Sequence, residues 1–204
     1  MIKNIVFDIG NVLVTFHPMA HFLPHFKDEE KTKQLCHQVF SHDAWGWYDQ
    51  GLKTMDELHE IYQEAYPIQY EDISYILQHW LPLMKFMPET FAYMKELKTR
   101  GFHLYLLSNI SKDSADYLKG CMPFFEIVDG EILSYAYKVN KPDVKIYQAL
   151  FDTYSLIPEE TIFFDDNLPN IEQANQLKVH GVLFENLEDA KKKAEEIIGS
   201  LKLC

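Results

Sequence analysis

The feature that most constrains this chain is a series of short apolar, β-rich runs that each stop at polar residues. Residues 2–7 end in Asp8-Ile9-Gly10-Asn11, residues 102–107 in Ser108-Asn109, and residues 161–164 in Asp165-Asp166-Asn167; a fourth run covers 180–184. Segments that are apolar on both faces suit the strands of a parallel sheet covered on both sides. Helix-like stretches separate them. Residues 89–100 are amphipathic and closed by Gly101, 111–119, 145–151 and 170–178 supply about two turns each, and 187–198 ends at Gly199. Strands alternating with helices predict an α/β, doubly wound parallel sheet. Ligands of such sheets bind beyond the carboxyl ends of the strands. Three of the four runs carry acidic, hydroxyl or amide residues there.

Residues 16–85 break the alternation. Their texture is helical and aromatic-rich, without a convincing buried strand. Thr54-Met55-Asp56-Glu57 reads as a capping box opening a helix to about residue 65, and 70–81 reads as another, stopped before Pro82. The expectation is a small all-α cap at 16–85, set into a core made of 1–15 and 86–204, with hinges near 15–18 and 83–88. The full 204 residues are enough for one such domain with a modest insertion.

A formal charge of -12 argues against nucleic acid or an anionic membrane as a partner. It also requires any phosphate site to build its positive potential locally. Cys36, Cys121 and Cys204 are widely scattered and suggest neither a disulfide framework nor a metal site. No segment approaches the roughly 20 apolar residues of a membrane span, and no signal-peptide pattern opens the chain. The Asn109-Ile110-Ser111 sequon means little without one. The expected setting is cytoplasmic.

An aspartate at the end of a buried strand serves as a nucleophile when a cation holds it ionised and oriented. Asp8 occupies such a position. Phosphoryl transfer consists mostly of positioning and neutralising charge, which calls for oxygen ligands to Mg²⁺, donors to the phosphoryl oxygens and a fixed lysine. Asp165 and Asp166 are hard ligands, Ser108 and Asn109 are donors, and Lys141, preceding Pro142, is a cation.

The layout resembles the haloacid dehalogenase-like hydrolase superfamily. The resemblance rests on VFDIGNVLV, LLSNIS, NKPDVKIYQ and FFDDNLPNIEQA, in that order and spacing. It implies a Rossmann-like core with a helical cap after the first motif, and a phosphatase of a small phosphorylated metabolite, a sugar phosphate being one candidate. Asp8 would be the nucleophile that becomes phosphorylated. Ser108 and Asn109 would bind phosphate, and Lys141 would bridge nucleophile and phosphate. Asp8, the Gly10 carbonyl and Asp166, with Asp165 beside them, would hold Mg²⁺, and Asn170 would support them. One departure stands out. Phosphatases of the family usually carry an aspartate two residues after the nucleophile, and here that residue is Gly10. The glycine keeps the metal-binding carbonyl but removes general acid–base help worth roughly 10²–10⁴-fold. Water, a cap residue such as His17, or a good leaving group would have to compensate.

A phosphomutase would also use Asp8, but it needs an acid–base group to shuttle between hydroxyls, against which Gly10 argues, and two further readings share the fold. One is a metal-free 2-haloacid dehalogenase, against which the Asp165-Asp166 pair argues; the other is a catalytically weak binding module. The four-residue spacing of His17, His21 and His25 invites a metal reading, but Pro24 is expected to interrupt that helix, leaving solvated surface. Trp45, Trp47 and Tyr48 are expected to pack the cap, with substrate contact open for the tryptophans, as it is for His42 and Asp43.

Overall fold

The computed structural model describes residues 1–200; Cys204 lies outside them. The chain runs β1 (Asn4–Phe7), β2 (Val14–Phe16), α1 (Pro18–Phe26), α2 (Glu29–Phe40), α3 (Asp43–Asp49), α4 (Met55–Ala65), α5 (Tyr70–His79), β3 (Met84–Phe86) and α6 (Pro88–Thr99). It continues with β4 (His103–Ser108), α7 (Lys112–Lys119), β5 (Gly130–Leu133), α8 (Ser134–Tyr137), α9 (Val144–Tyr154), β6 (Thr161–Asp165), α10 (Leu168–Gln176), β7 (His180–Leu183) and α11 (Leu187–Ser200).

The main sheet has the order β5-β4-β1-β6-β7, and every pair in it is parallel. Alternate residues of its strands feed two apolar cores. Ile5, Phe7, Leu104, Leu106 and Phe164 join one, with Leu97 and Ala194 of α6 and α11. Val6, Tyr105, Leu107 and Phe163 join the other, with Tyr147 of α9 and Ile171 of α10. Both faces are therefore covered, as the unbroken apolar runs required. This is the Rossmann-like α/β architecture. The edge strand β5 was not foreseen, because Gly130 and Glu131 interrupt its apolar signal.

The five helices α1–α5 lie between β2 and β3, which pair antiparallel from Val14↔Phe86 to Phe16↔Met84. The two connections anticipated as hinges thus run side by side as a short ribbon. Three residues each is too little for a periodic signal to be visible in the sequence. The capping box is present, with Glu57 N–H donating to the Thr54 hydroxyl (3.2 Å) and Thr54 N–H to the Glu57 carboxylate (2.8 Å).

Pro24 does not interrupt its helix: α1 runs through it and closes at Lys27 in the left-handed region (φ 53°). The last turn is held by Lys27 N–H on the Leu23 carbonyl (2.8 Å) and by packing. His25 stacks on Tyr75 (3.6 Å between centroids), and His21 Nε2 lies 3.1 Å from the His79 carbonyl. The histidines are occupied in joining α1 to α5. Among the described residues no helix is long and apolar enough to cross a membrane.

Candidate functional site

Parallel register decides which strand ends meet. Phe7 is paired with Leu106 on one side and with Phe164 on the other, so Asp8, one residue further, falls between Leu107 and Asp165. Asp8 N–H donates to the Phe164 carbonyl (2.8 Å), extending the ladder by one residue past β1. Phe7 and Phe164 stack on one face of the sheet at 5.0 Å. Because side chains alternate, Asp8 and Asp165 emerge together on the other. Two adjacent carboxylates at a buried strand end repel each other unless a cation joins them.

Lys141 is that cation. Its Nζ lies 2.9 Å from Asp8 Oδ1 and 2.6 Å from Asp165 Oδ2, and it donates to the Leu107 carbonyl at 2.8 Å. The side chain is only 1% exposed. Burial alone pulls the ammonium pKa down, but Asp8 and Asp165 outweigh it and leave it raised. The loop that carries Lys141 is held by Asn109, whose amide donates to the Lys141 carbonyl (2.9 Å) and accepts from its N–H (2.7 Å). Asn109, anticipated as a phosphate donor, lines the cavity described below and also holds the backbone of Lys141. Asp165 is likewise used internally: it takes the Asn170 amide on both oxygens (3.0 Å each) and the Asn167 N–H (2.8 Å).

Burial raises the Asp8 carboxyl to about 6; Lys141 opposes this, Asp165 adds to it, and the Ser108 hydroxyl opposes it by hydrogen bonding to the charged form. The contact of Lys141 with Asp8 Oδ1 is a close, buried ion pair. Asp166 is exposed, and burial of its carboxylate raises it while Asn11 lowers it. One oxygen each of Asp8, Asp165 and Asp166 fall within 4.8 Å of one another. Three hard carboxylates this close together fit a hard divalent cation.

Asn11 escaped the sequence reading. It adopts a left-handed conformation (φ 52°), which asparagine tolerates better than most residues. There it accepts from Phe16 N–H (2.9 Å) and donates to Asp166 Oδ2 (2.8 Å), tying the turn after β1 to the far carboxylate. Its place in Gly10-Asn11, immediately after a strand, was the available signal. Gly10 stands in open space, with nothing within 4 Å of where a Cβ would be.

The carboxyl ends of β1, β4 and β6 and the loops that follow them open onto a cavity of about 200 Å³. Its floor includes Gly10, Asn11, Ser108, Asn109 and Asp166; its roof is Trp45 and Asp49 of α3 with Trp80. Trp45 is fixed by edge-on contacts to Phe40 (4.7 Å) and Trp80 (4.8 Å). The other insert residues considered from sequence lie elsewhere. Trp47 is 41% exposed, His42 caps α3 by accepting from Ala44 N–H (3.1 Å), and neither they, Asp43 nor His17 line the cavity. Asp49 was missed, since nothing in the sequence around it marks it out.

Residues 2–177 match the family model of the haloacid dehalogenase-like hydrolases. The chain is similar to a D-ribitol-5-phosphate phosphatase of Bacteroides thetaiotaomicron, at 27% identity over 98% of this chain and 100% of the relative. It is similar to a sesquiterpene phosphatase of Aspergillus oryzae at 22% identity, over 88% of each. It is also similar to a drimenol cyclase of Aspergillus calidoustus at 23% identity over 98% of this chain, and spans only 37% of that protein's length. Among solved structures, an enzyme of this family from B. thetaiotaomicron in complex with magnesium and inorganic phosphate superposes with a TM-score of 0.67. The identity is 22%, over 90% of this chain and 94% of the other. L-2-haloacid dehalogenase of Xanthobacter autotrophicus, with chloropropionic acid covalently bound, gives 0.68 at 17% identity over 98% and 83%.

Proposed function

The chain belongs to the haloacid dehalogenase-like hydrolases, and on that premise we propose that it is a Mg²⁺-dependent phosphatase of a small phosphorylated metabolite, acting through phospho-Asp8. The observation that carries this reading is the cluster of Asp8, Asp165 and Asp166, one oxygen of each within 4.8 Å of the others, with buried Lys141 beside Asp8 and Asp165. A purely structural Asp8–Lys141–Asp165 network has no use for a third carboxylate, Asp166, in the cluster or for the Asn11–Asp166 bond.

Asp8, Asp166 and the Gly10 carbonyl would hold the metal, with Asp165 behind them. Mg²⁺ supplies charge neutralisation at the phosphoryl oxygens and at the nucleophile. Lys141 keeps Asp8 ionised and oriented, despite the burial that raises it. The Ser108 hydroxyl, close enough to Asp8 to stabilise its charge, turns to a phosphoryl oxygen when substrate enters. Asn109 fixes Lys141 through its backbone. The insert α1–α5 acts as the cap that excludes water, with Trp45, Trp80, Phe16 and Met84 forming an apolar wall.

The volume bears on the substrate. A cavity of about 200 Å³ is smaller than the roughly 300–1,000 Å³ of drug-sized sites. That favours a metabolite of a few carbons, such as a sugar or polyol phosphate, over a terpenyl phosphate or a phosphoprotein. The test is phosphate release from a panel of phosphometabolites with Mg²⁺ and with EDTA, beside Asp8→Asn. Release by the native protein that needs Mg²⁺ and is lost in Asp8→Asn is expected. Undiminished hydrolysis of a 2-chloro acid in EDTA, with no phosphate released from any ester, would overturn it in favour of dehalogenation.

A further inference from the structure

Gly10 leaves the leaving-group side of the site without the carboxyl that family phosphatases carry there, and the cavity shows where another carboxyl stands. Of the described residues lining it, only Asp49 and Asp166 carry an acidic or basic side chain. Asp166 is tied to Asn11 and belongs with the metal ligands. Asp49 approaches from the opposite wall, at the C-terminal end of α3.

Its position is fixed by the core rather than by the insert alone. The Ser134 hydroxyl donates to the Asp49 carbonyl (2.6 Å) while accepting from Ile110 N–H (2.8 Å), so one side chain joins the end of α3 to the loop that follows Ser108 and Asn109. Asn140 donates to the Gly46 carbonyl (3.0 Å) and Lys138 to the Gly51 carbonyl (2.5 Å), clamping both ends of the same turn. The Ser111 N–H of that loop lies close enough to the Asp49 carboxylate to favour its charged form. Among the described residues no basic side chain forms an ion pair with it. The charged and titratable groups around it are Tyr48 on α3, which donates to Asp113 of α7, Tyr62 on α4, Asp166 across the cavity, and Lys138, whose ammonium is taken by Gly51.

We propose that Asp49 is the general acid–base of this phosphatase, replacing from the insert the aspartate that Gly10 lacks. The inference rests on the phosphatase reading above. In the first step an Asp8 oxygen bonds to phosphorus, the phosphorus–oxygen bond to the leaving group breaks, and that oxygen takes the Asp49 proton and departs as an alcohol. In the second, a water in the vacated position gives a proton to the Asp49 carboxylate as its oxygen bonds to phosphorus. The bond to Asp8 breaks, inorganic phosphate leaves, and Asp8 is an ionised carboxylate again with Asp49 reprotonated. One group on the leaving-group side serves both steps, because water enters where the alcohol left. Burial raises Asp49 to about 7, with the Ser111 N–H opposing, so both protonation states are accessible near neutrality.

The test compares an alkyl phosphate, whose alkoxide needs a proton, with p-nitrophenyl phosphate, whose phenolate does not. Asp49→Asn is expected to lower kcat/KM for the alkyl ester by about 10²–10⁴-fold and for the aryl ester by far less. The native protein is expected to lose alkyl-ester activity as pH rises through neutrality, and Asp49→Asn should abolish that fall. Equal losses on both esters in Asp49→Asn and in Asp49→Glu, which keeps an acid there, would overturn the inference, as would an alkyl-ester pH profile unchanged in Asp49→Asn. The native protein separates the two ideas. If it shows no Mg²⁺-dependent release from either ester, the phosphatase reading falls and this one with it; if it releases phosphate from both and Asp49→Asn shows no leaving-group dependence, only this one falls.

Discussion

Replacing Lys141 by methionine isolates the electrostatic core of the site. The ammonium is 1% exposed and lies within 2.9 Å of Asp8 and 2.6 Å of Asp165, whose side chains are 11% and 0% exposed. Methionine keeps the length of the side chain but leaves two carboxyl groups side by side without a cation. Removing one partner of a buried ion pair costs about 3–5 kcal/mol, because the remaining charge is stranded. For a chain of 204 residues, at roughly 2–4 °C per kcal/mol, that is a fall in Tm on the order of 10 °C. Thermal and urea unfolding in EDTA, where no metal compensates, would measure it. The double variant Lys141→Met/Asp165→Asn strands only one carboxylate, so it should be more stable than the sum of the single effects by more than about 1 kcal/mol. A loss below about 1 kcal/mol in Lys141→Met, or single effects that simply add, would refute the reasoning and mean that the buried ions are already compensated in some other way.

Asn11→Ala removes the bond to Asp166 and should weaken Mg²⁺ binding by about 10–100-fold, as loss of a ligand-orienting partner commonly does; titration calorimetry with Mg²⁺ reads it, and unchanged affinity would leave Asn11 a role only in the turn. The Asp49 carboxyl is raised from 3.8 to about 7 on folding, so between these values the native state binds more protons than the unfolded chain and this group subtracts stability as pH rises. Asp49→Asn should therefore gain on the native protein from pH 5 to pH 8, by on the order of 2 kcal/mol after allowing for partial solvation; a Tm difference flat across that range would contradict it. Gly130→Ala would place a Cβ 2.2 Å from the Tyr154 ring, which is itself held by the hydrogen bond from Glu131 N–H at 2.8 Å. Overpacking of this kind costs about 1–3 kcal/mol, visible as a lowered Tm.

Much of this protein is legible along the chain because parallel strands buried on both faces write themselves as unbroken apolar runs. Those runs located β1, β4, β6 and β7, and the polar residues ending three of them located Asp8, Ser108 and Asp165. The insert was visible as a loss of the alternating pattern, and its capping box was read residue by residue. Short pairings were not legible. The β2–β3 ribbon and β5 owe their existence to partners distant in sequence, and helix α1 passes through Pro24 because contacts with α5 outweigh a missing donor.

The candidate site divides in the same way. Sequence alone determined which residue types stand at the strand ends, because strand burial and its termination are local properties of the chain. Tertiary structure decided what each does: that register sets Asp8 against Asp165, that Lys141 crosses to join them, and that Asn109 spends its amide on the Lys141 backbone. It also brought Asn11 to Asp166 and Asp49 to the cavity facing Gly10. Those roles depend on distances of about 3 Å between residues scores of positions apart, and only the folded sheet and its insert establish them.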